Sequence, residues 1–107
     1  MIGRRVGHPS KRQLEKHIQQ CAQDSANIVF VNHARDRMRL RKINDPMVLE
    51  TLRKGLIARE PEPDLKADGL RCVMERYVSG MNVGVVVLVD HPAPGLTVIT
   101  VMEVRKG

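Results

Sequence analysis

The chain has 107 residues, room for one domain, with 42% hydrophobic, 28% charged and 2% aromatic residues and a formal net charge of +6. That balance excludes a disordered chain, and the core must be built from Val, Leu, Ile and Met. The longest apolar run, Val85–Val89, extends only to Val83 through Gly84, which excludes a membrane helix of about 20 residues.

Taken in order, residues 1–8 are polar and Gly-rich and are expected to be loose. Arg4 and Arg5 have no apolar stretch behind them, so no signal peptide is expected and the cytoplasm is the expected location. Ser10 with Gln13 three residues on is a capping-box pattern, and Leu14, Ile18, Cys21 and Ala22 follow at helical spacing. This helix is expected to end near Asp24–Asn27. Ile28–Val31 reads as a short edge strand. Asn32 is the expected cap of a second helix with Ala34, Met38 and Ile43 on its apolar side. His33, Arg37 and Arg41 share a neighbouring stripe, with Arg35, Arg39 and Lys42 beyond it. Asp45 as N-cap with Pro46 at the first helical position predicts the start of a third helix, Val48, Leu49 and Leu52 its inward face, and Gly55 its stop.

Leu56–Arg59 reads as a strand, and Glu60–Asp64, with Pro61 and Pro63, as a turn or loop. A long strand is predicted over Leu70–Ser79, a two-residue hairpin turn at Gly80–Met81, and a central strand over Val83–Val89 covered on both faces. His91–Gly95 is a loop, Leu96–Val104 the last strand, and Arg105–Gly107 a frayed tail. Helices segregated before a meander predict a two-layer α+β domain, its N-terminal helices packed on a mainly antiparallel sheet of four to five strands.

Charge divides the chain unevenly. Residues 1–60 hold 13 Lys and Arg against 6 Asp and Glu, whereas residues 61–107 hold 5 against 6. The basic character belongs to the helical half, as a solvated face or as a surface that meets phosphate. Cys21 and Cys72 lie far apart in sequence, without C-x-x-C spacing, and read as buried thiols of a reducing compartment. His8, His17 and His91 share no metal spacing. No metal or organic cofactor is expected. A nucleophile elbow, a P-loop and a G-x-G-x-x-G loop are all absent, and the acidic residues do not form a glycosidase pair.

Several short patterns carry a family resemblance: His33-Ala34, Arg37-Met38 and Arg41 before Ile43, then Leu52, Gly55 and Ile57, then Gly69-Leu70-Arg71. Val85-Val86-Val87 and Val98-Ile99-Thr100-Val101 complete them. On these residues, positions 32–104 resemble a small bacterial family of unknown function, similar to RelE- and BrnT-type toxins of the barnase–EndoU–colicin–RelE ribonuclease group. The resemblance implies a RelE-like domain over residues 28–107, with residues 1–27 as a tail and an added helix. It also implies a metal-independent, toxin-like ribonuclease that works on RNA or on the ribosome and is held by an acidic antitoxin protein.

Metal-free RNA cleavage needs a base for the ribose 2′-OH, cations for the phosphate and an acid for the leaving oxygen. His33 is the natural acid/base, since imidazole titrates near neutral pH. Arg37 grips phosphate, with Arg41 and Arg35 beside it. Thr100, on the last strand, is a hydroxyl donor, and Arg71 and Tyr77 share one face of the long strand by alternation. Each has a structural reading too. His33 can pack at a helix start, and Arg37 and Arg41 can be solvated or bridge to Glu50 or Asp36. Thr100 and Tyr77 suit a strand without any function. Two other functions stay open: a non-catalytic nucleic-acid or ribosome-binding module on the same basic stripe, and a protein-interaction domain whose sheet edge takes a partner strand.

Overall fold

A computed structural model describes residues 9–64 and 69–105; the expected loose segment 1–8 and the end of the expected tail lie outside them. Helix α1, Lys11–Cys21, opens on the expected capping box. The Gln13 backbone N–H donates to the Ser10 hydroxyl at 3.1 Å, and the Ser10 N–H donates to the Gln13 side chain at 2.7 Å. Leu14, Ile18, Cys21 and Ala22 are all buried. Three hydrogen bonds then tie α1 to residues 53–57. The Ile57 N–H donates to Glu15 at 2.8 Å, Gln19 donates to the Gly55 carbonyl at 2.9 Å, and Arg53 donates to the Ala22 carbonyl at 2.7 Å. The added helix therefore shares one core with the domain it precedes.

After a 3-10 turn at Ser25–Asn27, strand β1 (Ile28–Phe30) leads without a loop into α2 (Asn32–Arg41). The cap of α2 is Val31, with no side-chain bond, and Asn32 is already helical. Burying Ala34 and Met38 sets this start, rather than capping chemistry. Lys42 ends α2 in the left-handed region at φ 59°, and Ile43 turns into the core behind it. The next helix, α3, covers Asp45–Lys54. Asn44, not Asp45, is its cap, accepting the Met47 N–H at 3.0 Å, so Pro46 stands at the second helical position. Met47, Val48, Thr51 and Leu52 are buried, while Leu49 is only half-buried. Gly55 stops α3 with an extended backbone. A Cβ there would lie 2.4 Å from the Thr51 carbonyl oxygen and 2.7 Å from that of Glu75, so the approach of α3 to the sheet requires glycine.

Six strands follow the order β1-β6-β5-β4-β2, with β3 also on β4. The count exceeds four or five because the expected Leu56–Arg59 strand shortens to β2, Leu56–Ile57, and the expected loop contributes β3, Glu62–Pro63. Both pair antiparallel with β4, Leu70–Val78. Strand β5, Met81–Val89, is central, as its valines predict. The β4–β5 turn sits one residue earlier than expected, at Ser79 and Gly80, which both take positive φ (51° and 84°). Strand β6, Leu96–Glu103, pairs antiparallel with β5 and parallel with β1. A register shift between Val86 and Val87 marks a bulge at Ile99. Cys72, Met74, Val85, Val87, Val98 and Val101 meet the buried residues of the three helices in a single core on one face of the sheet. Among the described residues, no helix is long and apolar enough to cross a membrane.

Candidate functional site

Helix α2 packs on β6 through Ala34 and Met38. Residues four apart on a helix advance by only about 40° around it. His33, Arg37 and Arg41 therefore form one ridge beside the buried stripe, and Arg35, Arg39 and Lys42 form the opposite flank. Arg35 is fully engaged: its guanidinium lies 3.9 Å from the centre of the Phe30 ring and donates to Asp45 at 2.6 Å. That flank thus faces β1 and the start of α3. Arg39 pairs with Asp36 on the same helix.

The other ridge is unengaged. His33 and Arg41 are exposed and Arg37 is half-buried. Among the described residues none of them has an ion pair, and neither has Lys42. The two acids that could have bridged Arg37 or Arg41 are taken, Asp36 by Arg39 and Glu50 by Arg76 at 2.9 Å. The result is an imidazole and three cations on the helix and its cap with no ion pair among the described residues, in a half of the chain that already repels cations.

The strand candidates lie elsewhere. Thr100 pairs in register with Val86, on the face of the sheet away from the helices, because the bulge at Ile99 reverses the alternation begun at Leu96 and Val98. It lines a depression of about 270 Å³ with Arg71, Arg59, Val73, Val86 and Met102. Arg71 there donates to Asp64 at 2.7 Å. Tyr77 is on the same face as Arg71, as alternation requires, but borders a second depression of about 370 Å³ beside Leu56 and Asn82. The structure thus gathers His33, Arg37 and Arg41 on one ridge, sets Thr100 with Arg71 in one hollow, and leaves Tyr77 and Arg35 apart from both.

One contact was not foreseen from the sequence. His17 lies 3.0 Å from the Ala93 carbonyl oxygen through Nε2, meets the His91 ring edge-on with centroids 4.8 Å apart, and has the Cys21 Sγ 3.5 Å away. The four-residue spacing of His17 and Cys21 was the available signal. Burial raises the Cys21 thiol and pushes Cys72 up to about 11, so neither supplies a thiolate at neutral pH. Among the described residues, no three His, Cys, Asp or Glu side chains are grouped to hold a metal ion.

No curated protein and no solved structure matches the chain significantly. A family pattern does match residues 30–103, from the last residue of β1 to the last residue of β6, leaving α1 outside. By that match the chain belongs to the family described as Domain of unknown function (DUF4258).

Proposed function

We propose that this chain binds RNA along the His33–Arg37–Arg41 ridge and cleaves it without a metal, in the manner of the RelE- and BrnT-type toxins it resembles. The observation that supports this reading is the ridge itself: an exposed imidazole in line with two guanidiniums that no acid of the described chain neutralises. Guanidiniums hold phosphate bidentately and keep their charge at any working pH. In the reaction His33 takes the proton of a ribose 2′-OH. The 2′-oxygen bonds to phosphorus and the 5′-oxygen leaves with a proton from water or from the imidazolium. A 2′,3′-cyclic phosphate and a 5′-hydroxyl result. Arg37, next along the ridge, balances the charge that builds on the phosphate. The acidic antitoxin that a toxin implies would cover the same cations.

Incubating RNA with the protein in EDTA tests this. Cleavage is expected, with His33→Ala lowering its rate by about 10²–10⁴-fold and Arg37→Ala also slowing it. Intact RNA with all three proteins would end the catalytic proposal. A second reading, binding without cleavage, is favoured by two observations: Thr100 sits on the opposite face of the sheet, and His33 has no hydrogen-bond partner among the described residues to orient its ring. It predicts intact RNA that is nevertheless bound, with affinity falling steeply as salt rises.

A further inference from the structure

The sheet has two faces, and the described helices cover only one. Val73 and Val86 are buried on the other face yet fall outside the core beneath the helices. An antiparallel sheet with one face in water ordinarily turns polar residues outward. Here the register turns out Val73, Val86, Leu88 and Met102, and the outward positions of β4, β5 and β6 hold only two charges, Arg71 and Glu75. The described chain leaves four large hydrophobic side chains exposed. Three of them, Val29 at 58%, Leu56 at 63% and Tyr77 at 66%, stand on this same face.

We infer that this face is the contact between two copies of the chain. Charge selects the occupant. A nucleic acid or an acidic protein would find no excess of positive charge here: Arg71 is bonded to Asp64 at 2.7 Å, and Arg59 shares the hollow with Glu60 and Glu62. A second copy approaching through its helices would bring the strongly basic half against itself, whereas residues 61–107 carry 5 cations against 6 anions. The patch is also self-complementary. Arg71 and Glu75 lie on either side of Val73 along one strand. A two-fold axis lying between the sheets and crossing β4 at Val73 lays the Arg71 end of the patch on each copy, where Arg71 is paired with Asp64, over the Glu75 end of the other. Aligned sheets pack this way, with inner side chains interdigitating. The three strands of eight or nine residues span about 30 by 15 Å, and the short β1 and β2 at their flanks bring the projected area to about 500 Å². That falls short of the about 800 Å² of accessible surface that each partner gives to a standard interface, which fits a weak, concentration-dependent dimer.

Sedimentation equilibrium of the full chain across micromolar concentrations tests the contact, with circular dichroism to verify folding. The wild type is expected to move from monomer to dimer. Tyr77→Asp and Leu56→Asp, both at exposed positions that the fold does not need, are expected to raise the dissociation constant by at least about tenfold each. Leu40→Asp, at the fourth exposed hydrophobic position and on α2, is expected to leave it unchanged. A wild type that stays monomeric at every concentration overturns the inference, and so does a dimer indifferent to Tyr77→Asp and Leu56→Asp.

Discussion

Helix α2 and the helix-free face of the sheet are both surfaces of one small chain, and their chemistry is opposite. On α2, five cations and a histidine crowd ten residues and the cap that follows, and the acids at hand neutralise only Arg35 and Arg39. On the sheet, apolar side chains face outward and the few charges are balanced, Arg71 and Glu75 on the long strand and Arg59, Glu60 and Glu62 beside the hollow. A charged ridge works at a distance and is weakened by salt, whereas an apolar face works only on contact and excludes water. The two are therefore proposed to meet different partners, a polyanion and a like-shaped copy, and they belong to different layers.

The most severe way to break this comparison is to break the joint between the layers. Gly55→Ala would drive a Cβ into two backbone oxygens, 2.4 and 2.7 Å away, and is expected to cost about 3 kcal/mol, read as a lower urea midpoint. Unchanged stability would mean that α3 does not meet β4 so closely. A slightly smaller effect probes how well the covered face is sealed. Burial raises the Cys72 thiol from 9.0 to about 11. Between those values the unfolded chain gives up this proton and the folded chain keeps it, so stability falls as pH rises through that window, by about 2–3 kcal/mol in full. Cys72→Ala is expected to flatten the decline, and an identical slope in the variant would argue that water reaches the thiol. The mildest change sharpens the ridge. Replacing Arg37 and Arg41 together by Ala is expected to weaken RNA binding about tenfold or more and to lower the salt slope by about 0.7 per lost contact. The melting temperature should hold, since neither guanidinium has an ion pair among the described residues.

The long elements were legible in the sequence because burial there follows one period. The capping box, the helical spacing from Leu14 to Ala22 and the valine run of the central strand all appear where expected. Helix starts were less legible where packing outweighs capping. Asn32 is a good cap that the chain does not use, because Ala34 and Met38 set the phase of α2. Asn44 outranks Asp45 for the same kind of reason, being the residue whose side chain reaches the Met47 N–H. On the candidate site, the ridge of His33, Arg37 and Arg41 follows from helical spacing alone. Its lack of acidic partners does not, since that depends on where Arg76 and Arg39 send their guanidiniums. Thr100 was the least legible residue of all. Plain alternation puts it with Leu96 and Val98, and one extra residue at the bulge sends it to the other face.

The rims of the sheet limit how such molecules can gather. At one side β1 offers three residues before the chain rises into α2, which lies against β6. At the other side β2 and β3 offer two residues each, and Pro63 has no N–H to give. Short flanking strands of this kind give further molecules little edge to extend, the outer edge of β6 past Val98 being the longer stretch among the described residues. The stacking inferred for the broad face would use that face up on both molecules and so close the assembly at two.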